Sequence, residues 1–439
     1  MFRSKRPFCI TLFLLVSCAL SACENSRAAS PQGPAAERWS QAHLEQVTAT
    51  IQTQVEALRG EKYARPVDVE ITDTRGFIEH ATQRMAKLTT EAQLSAEEDV
   101  AKLLGLVPPE MDLWATTFAV LEGQVGGFYD PGNDTFYLME SFTGTLAKII
   151  LAHELTHALD DQLYDIDGTL KPLLKHRDRA AAFQAVVEGS GTAMMSQWMG
   201  AYGEPLSPAE AAQAASMGTE SLSEAPPYVW KPLLASYTIG NTFLDRGYRM
   251  RKKDGLTFAD VTRIAFQSPP RSTEQVLHPE KYWKESERDD PVQIELEIAP
   301  PADWKVLEES SLGELALTLM TEEPKEIDFS NPMALVFLKY TNAAARGWGG
   351  DSMVLLGSEE GRYLRVMTIW DSAKDADEFR AALEERLASW SRDVALLGEG
   401  GTVNLEPAAA AAPLAVSFSA WHGVSDAQLE SLAKAVSVK

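Results

Sequence analysis

Two histidines one helical turn apart, with a glutamate beside the first and apolar residues on the far side, constrain this 439-residue chain more than any other feature. The segment is His153-Glu154-Leu155-Thr156-His157. In a helix its imidazoles leave one face about 40° apart, and Glu154 lies about 100° from His153. Leu151, Leu155 and Ala158 fall on the opposite face, which predicts burial in a core. Two nitrogens at this spacing suit one tetrahedral zinc, and Glu154 flanks that position without ligating, placed to take a proton from bound water. The helix itself is predicted to start near Ser141–Thr145 and to run to about Asp161.

A zinc held by two histidines needs a third ligand from elsewhere, and Glu188 has a physical case of its own. It stands in Ala185-Val186-Val187-Glu188-Gly189, the apolar middle of a helix predicted over roughly Asp178–Met199. A carboxylate there needs a partner or a metal. Its neighbours Ala181, Ala185, Gly189 and Thr192 are small and would let two helices approach. His176 and Asp178 are the alternatives, although His176, between Lys175 and Arg177, reads as a solvated histidine. Asp160, Asp161 and Gln184 are the nearby groups able to hold the imidazoles by their other nitrogens.

These residues resemble the zincin metallopeptidase superfamily, in which the histidines bind zinc and the glutamate is the general base. The metzincin branch would need a glycine three residues after His157 and a histidine at the sixth, where this chain has Asp160 and Leu163. The gluzincin branch takes a glutamate from a following helix, which implies Glu188 as third metal ligand. The same resemblance implies Tyr237 or His278 as the catalytic donor opposite the metal, each with an ordinary structural alternative. It also implies a substrate-binding edge strand before the helix, matched by Thr135–Leu138. Val187 and Thr192 depart from the Asn and Asp of the thermolysin-like group, so the orienting residue is not carried over. Gly126-Gly127-Phe128-Tyr129-Asp130-Pro131, the His153 helix, Val187-Glu188-Gly189 and residues 272–282 together look like an uncharacterised family of bacterial metallopeptidases, over about residues 60–285.

The chain begins with Arg3, Lys5 and Arg6, an apolar run from Phe8 to Leu20, and Leu20-Ser21-Ala22-Cys23. That pattern reads as an export signal over 1–22, too short to span a membrane comfortably. Its ending resembles the lipobox of bacterial lipoproteins, which implies lipidation at Cys23 and a cell-envelope location anchored to a membrane. The chain has three cysteines, and two of them, Cys9 and Cys18, would leave with the signal, so neither a disulfide nor a thiol nucleophile is expected. A net charge of -23 argues against nucleic acid or anionic lipid as partners.

The expected organisation is a tether over 23–36, a metallopeptidase unit over 37–285, a linker over 286–312 and a smaller α+β unit over 313–439. The first unit is expected to be mainly helical with a small sheet, an α+β class overall. Its hairpin runs from Gly126 to Glu140, and residues 201–227, with Pro205, Pro208, Pro226 and Pro227, read as a loop. In the second unit Gly347-Trp348-Gly349-Gly350-Asp351 reads as a turn entering a hairpin, and residues 398–413 as a loop. The function expected is zinc-dependent hydrolysis of peptide or protein substrates. The rivals are a catalytically inactive lipoprotein used for binding or assembly, and a zinc hydrolase of non-peptide amide bonds.

Overall fold

The computed structural model describes residues 38–438 apart from 324, 326, 330, 332, 333, 336, 391–401 and 406–413. The signal, the tether and Cys23 lie outside the described residues. Among the described residues no helix is long and apolar enough to cross a membrane.

The protein is α+β. Its first part runs α1 (Gln41–Arg59), β1 (Asp68–Thr72), α2 (Thr74–Leu88), α3 (Glu91–Leu103), α4 (Leu113–Gln124), β2 (Gly127–Asp130), β3 (Thr135–Met139) and α5 (Gly144–Tyr164). Then follow α6 (Ile166–Leu173), α7 (Arg177–Tyr202), α8 (Pro208–Ser216), α9 (Thr219–Glu224), α10 (Pro227–Arg251), α11 (Phe258–Gln267), α12 (Thr273–Leu277) and α13 (Glu280–Trp283). The second part holds β4 (Leu296–Ile298), β5 (Lys305–Ser310), α14 (Gly313–Thr321), β6 (Trp348–Gly357), β7 (Arg362–Trp370), α15 (Ala373–Trp390), β8 (Thr402–Leu405), β9 (Ala415–His422), α16 (Asp426–Ala435) and β10 (Val436–Val438).

Helix α5 is buried on nearly every side from Thr145 to Asp160, and the polar His153, Glu154, Thr156, His157 and Asp160 are enclosed with its apolar residues. It packs on the small sheet β1-β3-β2 and against α1 and α7. Helix α7 in turn crosses α10 at glycines. A Cβ on Gly240 would stand 1.8 Å from the Ala185 carbonyl oxygen, and one on Gly189 2.3 Å from the Gly240 carbonyl carbon. The small residues Ala185 and Gly189 therefore serve the α7–α10 crossing. The second part is built on an antiparallel sheet of order β5-β6-β7-β9-β8, with α14 and α15 packed on it.

Five expectations are corrected. Strand β3 is central: it pairs in parallel with β1 and antiparallel with β2, so Thr135–Leu138 is not an edge. The edge is β2. Residues 201–227 are largely helical, because Ser207 and Glu210 form a capping box around Pro208 and an alanine-rich turn follows. The stretch 286–312 contributes β4 and β5, and β5 pairs along β6 with a bulge between Val306 and Glu308. Trp348–Asp351, read as a turn, already belongs to β6, and Thr402–Leu405 pairs with β9. The rest of 398–413 lies outside the described residues, apart from these four.

Candidate metal centre

Helix α5 places His153 and His157 one turn apart, and α7 brings Glu188 against both. The Nε2 atoms of the two histidines are 2.8 Å apart. Glu188 Oε2 lies 3.3 Å from His153 Nε2 and 3.6 Å from His157 Nε2. Four ligands about 2.0–2.1 Å from a tetrahedral zinc stand about 3.3–3.4 Å from one another. The three separations bracket that value. Neither Asp178 nor His176 joins the group. Asp178 is ten residues earlier on α7, about 15 Å along the helix. Its Oδ1 accepts from the Thr273 N–H at 3.0 Å and the Thr273 hydroxyl at 2.5 Å.

Protonation also suits ligation. Burial and the neighbouring His157 hold His153 down to about 4 against the pull of Glu188, so its imidazole is neutral near pH 7. Burial works to raise Glu188, but its bonds to His153 and His157 outweigh that and keep its carboxyl below the usual range. Neutral imidazole and ionised carboxylate are the forms that bind a divalent metal. His157 Nδ1 and Glu154 Oε1 are buried polar atoms that find no hydrogen-bond partner among the described residues.

Glu154 is fixed from the side. Its Oε2 accepts the backbone N–H of Tyr129 on β2 at 2.9 Å. Burial and the Glu188 charge push its carboxyl well above the usual range, against the Tyr129 N–H. The Tyr129 hydroxyl donates to Asp134 Oδ1 at 3.0 Å and approaches Asp161 Oδ2 at 3.4 Å, which ties the strand end to α5. His153, Glu154 and His157 are 0% exposed and Glu188 is 1% exposed. The group is closed in.

The supporting residues differ from those expected. Gln184 Nε2 donates to Glu188 Oε1 at 2.9 Å, so it holds the Glu188 carboxylate. Asp161 accepts from the Ile166 N–H at 3.0 Å. Asp160 forms a buried ion pair with Arg59 and accepts from the Ser190 hydroxyl at 2.5 Å. Gly191 makes room for His153: a Cβ there would be 2.7 Å from the ring. Arg59, Ser190, Gly191 and the Tyr129 backbone were not foreseen. Arg59 alone carried a signal, because it completes the buried stripe Leu44, Thr48, Ile51, Val55 of α1.

Tyr237, on α10, is brought to the group, its ring centroid 5.9 Å from that of His153. His278 is not. Helix α12 docks against Asp178 at the far end of α7, and His278 Nε2 pairs with Glu314 Oε1 at 3.0 Å. A second set of acids, Glu274, Asp289 and Asp371, converges as a metal site would. Lys281 Nζ already occupies its centre, 2.6, 2.7 and 2.8 Å from the three carboxylates.

Residues 305–420 match a family model described as a domain of unknown function (DUF8575), which takes in β5 to β8 with most of β9 and leaves the metal group outside. No curated protein and no solved structure matches the chain.

Proposed function

We propose that the protein is a zinc-dependent hydrolase of the zincin type, acting on peptide bonds in the bacterial envelope, with His153, His157 and Glu188 as ligands and Glu154 as general base. The observation that carries this reading is the pairing of the three-donor group with a carboxylate that does not belong to it. Glu154 is held by the Tyr129 N–H through one oxygen, and its other oxygen finds no hydrogen-bond partner among the described residues. A purely structural metal site has no use for such an arrangement, and a buried carboxylate with a bare oxygen is costly. Zinc in this group would polarise a substrate carbonyl and make water acidic enough to give up a proton near neutral pH. A bound zinc would offset the burial and the Glu188 charge that raise the Glu154 carboxyl, and Glu154 would then take that proton at Oε1 and return it to the departing amine. The outer edge of β2 is buried and its Tyr129 N–H is bonded to Glu154, so an extended substrate backbone would pair there only once that edge opens. Tyr237, beside His153, is the donor favoured for the developing oxyanion.

One observation favours a second reading. All four side chains are at most 1% exposed, as in a closed structural site joining α5 to α7. Glu154→Gln separates the two. The hydrolase reading expects unchanged zinc content in the mature protein, as measured by metal analysis, and a loss of about 10²–10⁴-fold in peptide-library cleavage. It also expects Glu188→Ala to lose stoichiometric zinc. Cleavage at parent rate by the Glu154 variant would refute the assigned base. A zinc-loaded parent without cleavage of any peptide would favour the structural site, or a hydrolase of non-peptide amides.

A further inference from the structure

We propose that Arg59 is a positioning residue of the metal group, clamping α5 to α7 so that donors from both helices meet the metal already in register. The inference rests on the metal reading above. Arg59 ends α1 and is 2% exposed. One terminal nitrogen pairs with Asp160 Oδ1, and the other donates to Ser190 Oγ at 3.1 Å. Ser190 closes the ring by donating to Asp160 Oδ2 at 2.5 Å. Asp160 stands three residues after His157 on α5, and Ser190 two residues after Glu188 on α7. A single guanidinium from a third helix thus fastens both ligand-bearing helices within one turn of their ligands.

Stability alone explains this poorly. Apolar residues at both position 59 and position 160 would continue the α1 stripe and avoid desolvating two charges. What a planar guanidinium adds is direction: two fixed N–H vectors set how far α5 and α7 stand apart and how they are shifted along their axes. The ligand group needs that constraint, because its oxygen comes from α7 and its nitrogens from α5. Without Arg59, Asp160 would be a buried carboxylate lacking its countercharge, close enough to His157 to act on it electrostatically.

The test is a zinc dissociation constant for the mature protein, from competition with a chromogenic chelator, for parent, Arg59→Met, Arg59→Lys and Ser190→Ala. Circular dichroism and thermal melts of the metal-free forms run alongside. The expected result is a folded Arg59→Met that binds zinc about 10–100-fold more weakly, with Arg59→Lys recovering part of the loss. Should Arg59→Met fail to fold, Ser190→Ala, which keeps the charge pair, carries the test with a smaller loss of affinity. A merely structural Arg59 would lower the melting temperature and leave zinc affinity at the parent value, and that result in either folded variant overturns the inference. A parent that binds no zinc at all overturns the metal reading, and the inference with it.

Discussion

At the scale of single residues the candidate metal group depends on space as much as on its donor atoms. A Cβ at position 191 would lie 2.7 Å from both Cε1 and Nε2 of His153, closer than packed atoms stand. Gly191→Ala is therefore expected to keep the fold but push the ring off its ligating position, with zinc affinity reduced by about tenfold or more, on the scale of losses at supporting residues. Chelator competition on the folded variant measures it, and undiminished affinity would show that the ring has room to yield. This contrast explains what was legible. His153, His157, Glu154 and Glu188 could be read from the chain because residue type and helical spacing carry their chemistry. Gly191 and Ser190 could not, because their roles exist only once α7 lies on α5. The backbone N–H that holds Glu154 comes from Tyr129, and no side-chain pattern announces a backbone donor.

Among the elements, α5 depends on a neighbour for its own start. Its N-cap Thr143 makes no side-chain cap bond. Instead Glu210 reaches across from α8, accepting the Leu146 N–H at Oε1 (3.0 Å) and the Ser207 N–H at Oε2 (2.8 Å). One carboxylate caps two helices and complements the positive end of both dipoles. Glu210→Ala is expected to destabilise the protein by about 1–2 kcal/mol, read as a lower urea midpoint at unchanged slope. A change of only a few tenths would mean that water replaces the cap on α5. Reading 201–227 as a loop gave its prolines and serines too much weight as breakers, although Ser207, Pro208 and Glu210 together form a helix-start signature. The long helices were readable from their periodicity. The place of β3 was not, because its second partner β1 lies some 65 residues earlier and pairing over that distance leaves no local mark.

Over the whole molecule, the second part is fastened to α7, the helix that carries Glu188. Arg177 at the start of α7 pairs with Glu308 on β5, and Asp178 beside it packs against Gly313, where a Cβ would overlap its carboxylate. Asp351 on β6 completes the contact by accepting the Leu312 and Gly313 N–H groups at 2.7 and 2.8 Å. A linker was expected where β5 stands, because a short, acidic, mostly exposed strand carries almost no alternation of apolar residues. Burial, opposed by the Thr273 bonds and reinforced by Asp351 and Glu314, raises Asp178 to about 7. A carboxyl raised from 3.8 to about 7 on folding is protonated in the folded protein at mildly acid pH. Its contribution is fully present below pH 4 and is lost as pH climbs through 7, because ionising it in place costs free energy. Asparagine keeps an oxygen for the Thr273 donors and cannot ionise. Asp178→Asn should therefore melt close to the parent at pH 4 and above it at pH 8, with the gap widening from about pH 4 until it levels off above about pH 7. Melting curves that stay parallel across that range would mean that Asp178 is ionised in the native junction, and that the Thr273 donors stabilise the charge more than burial opposes it.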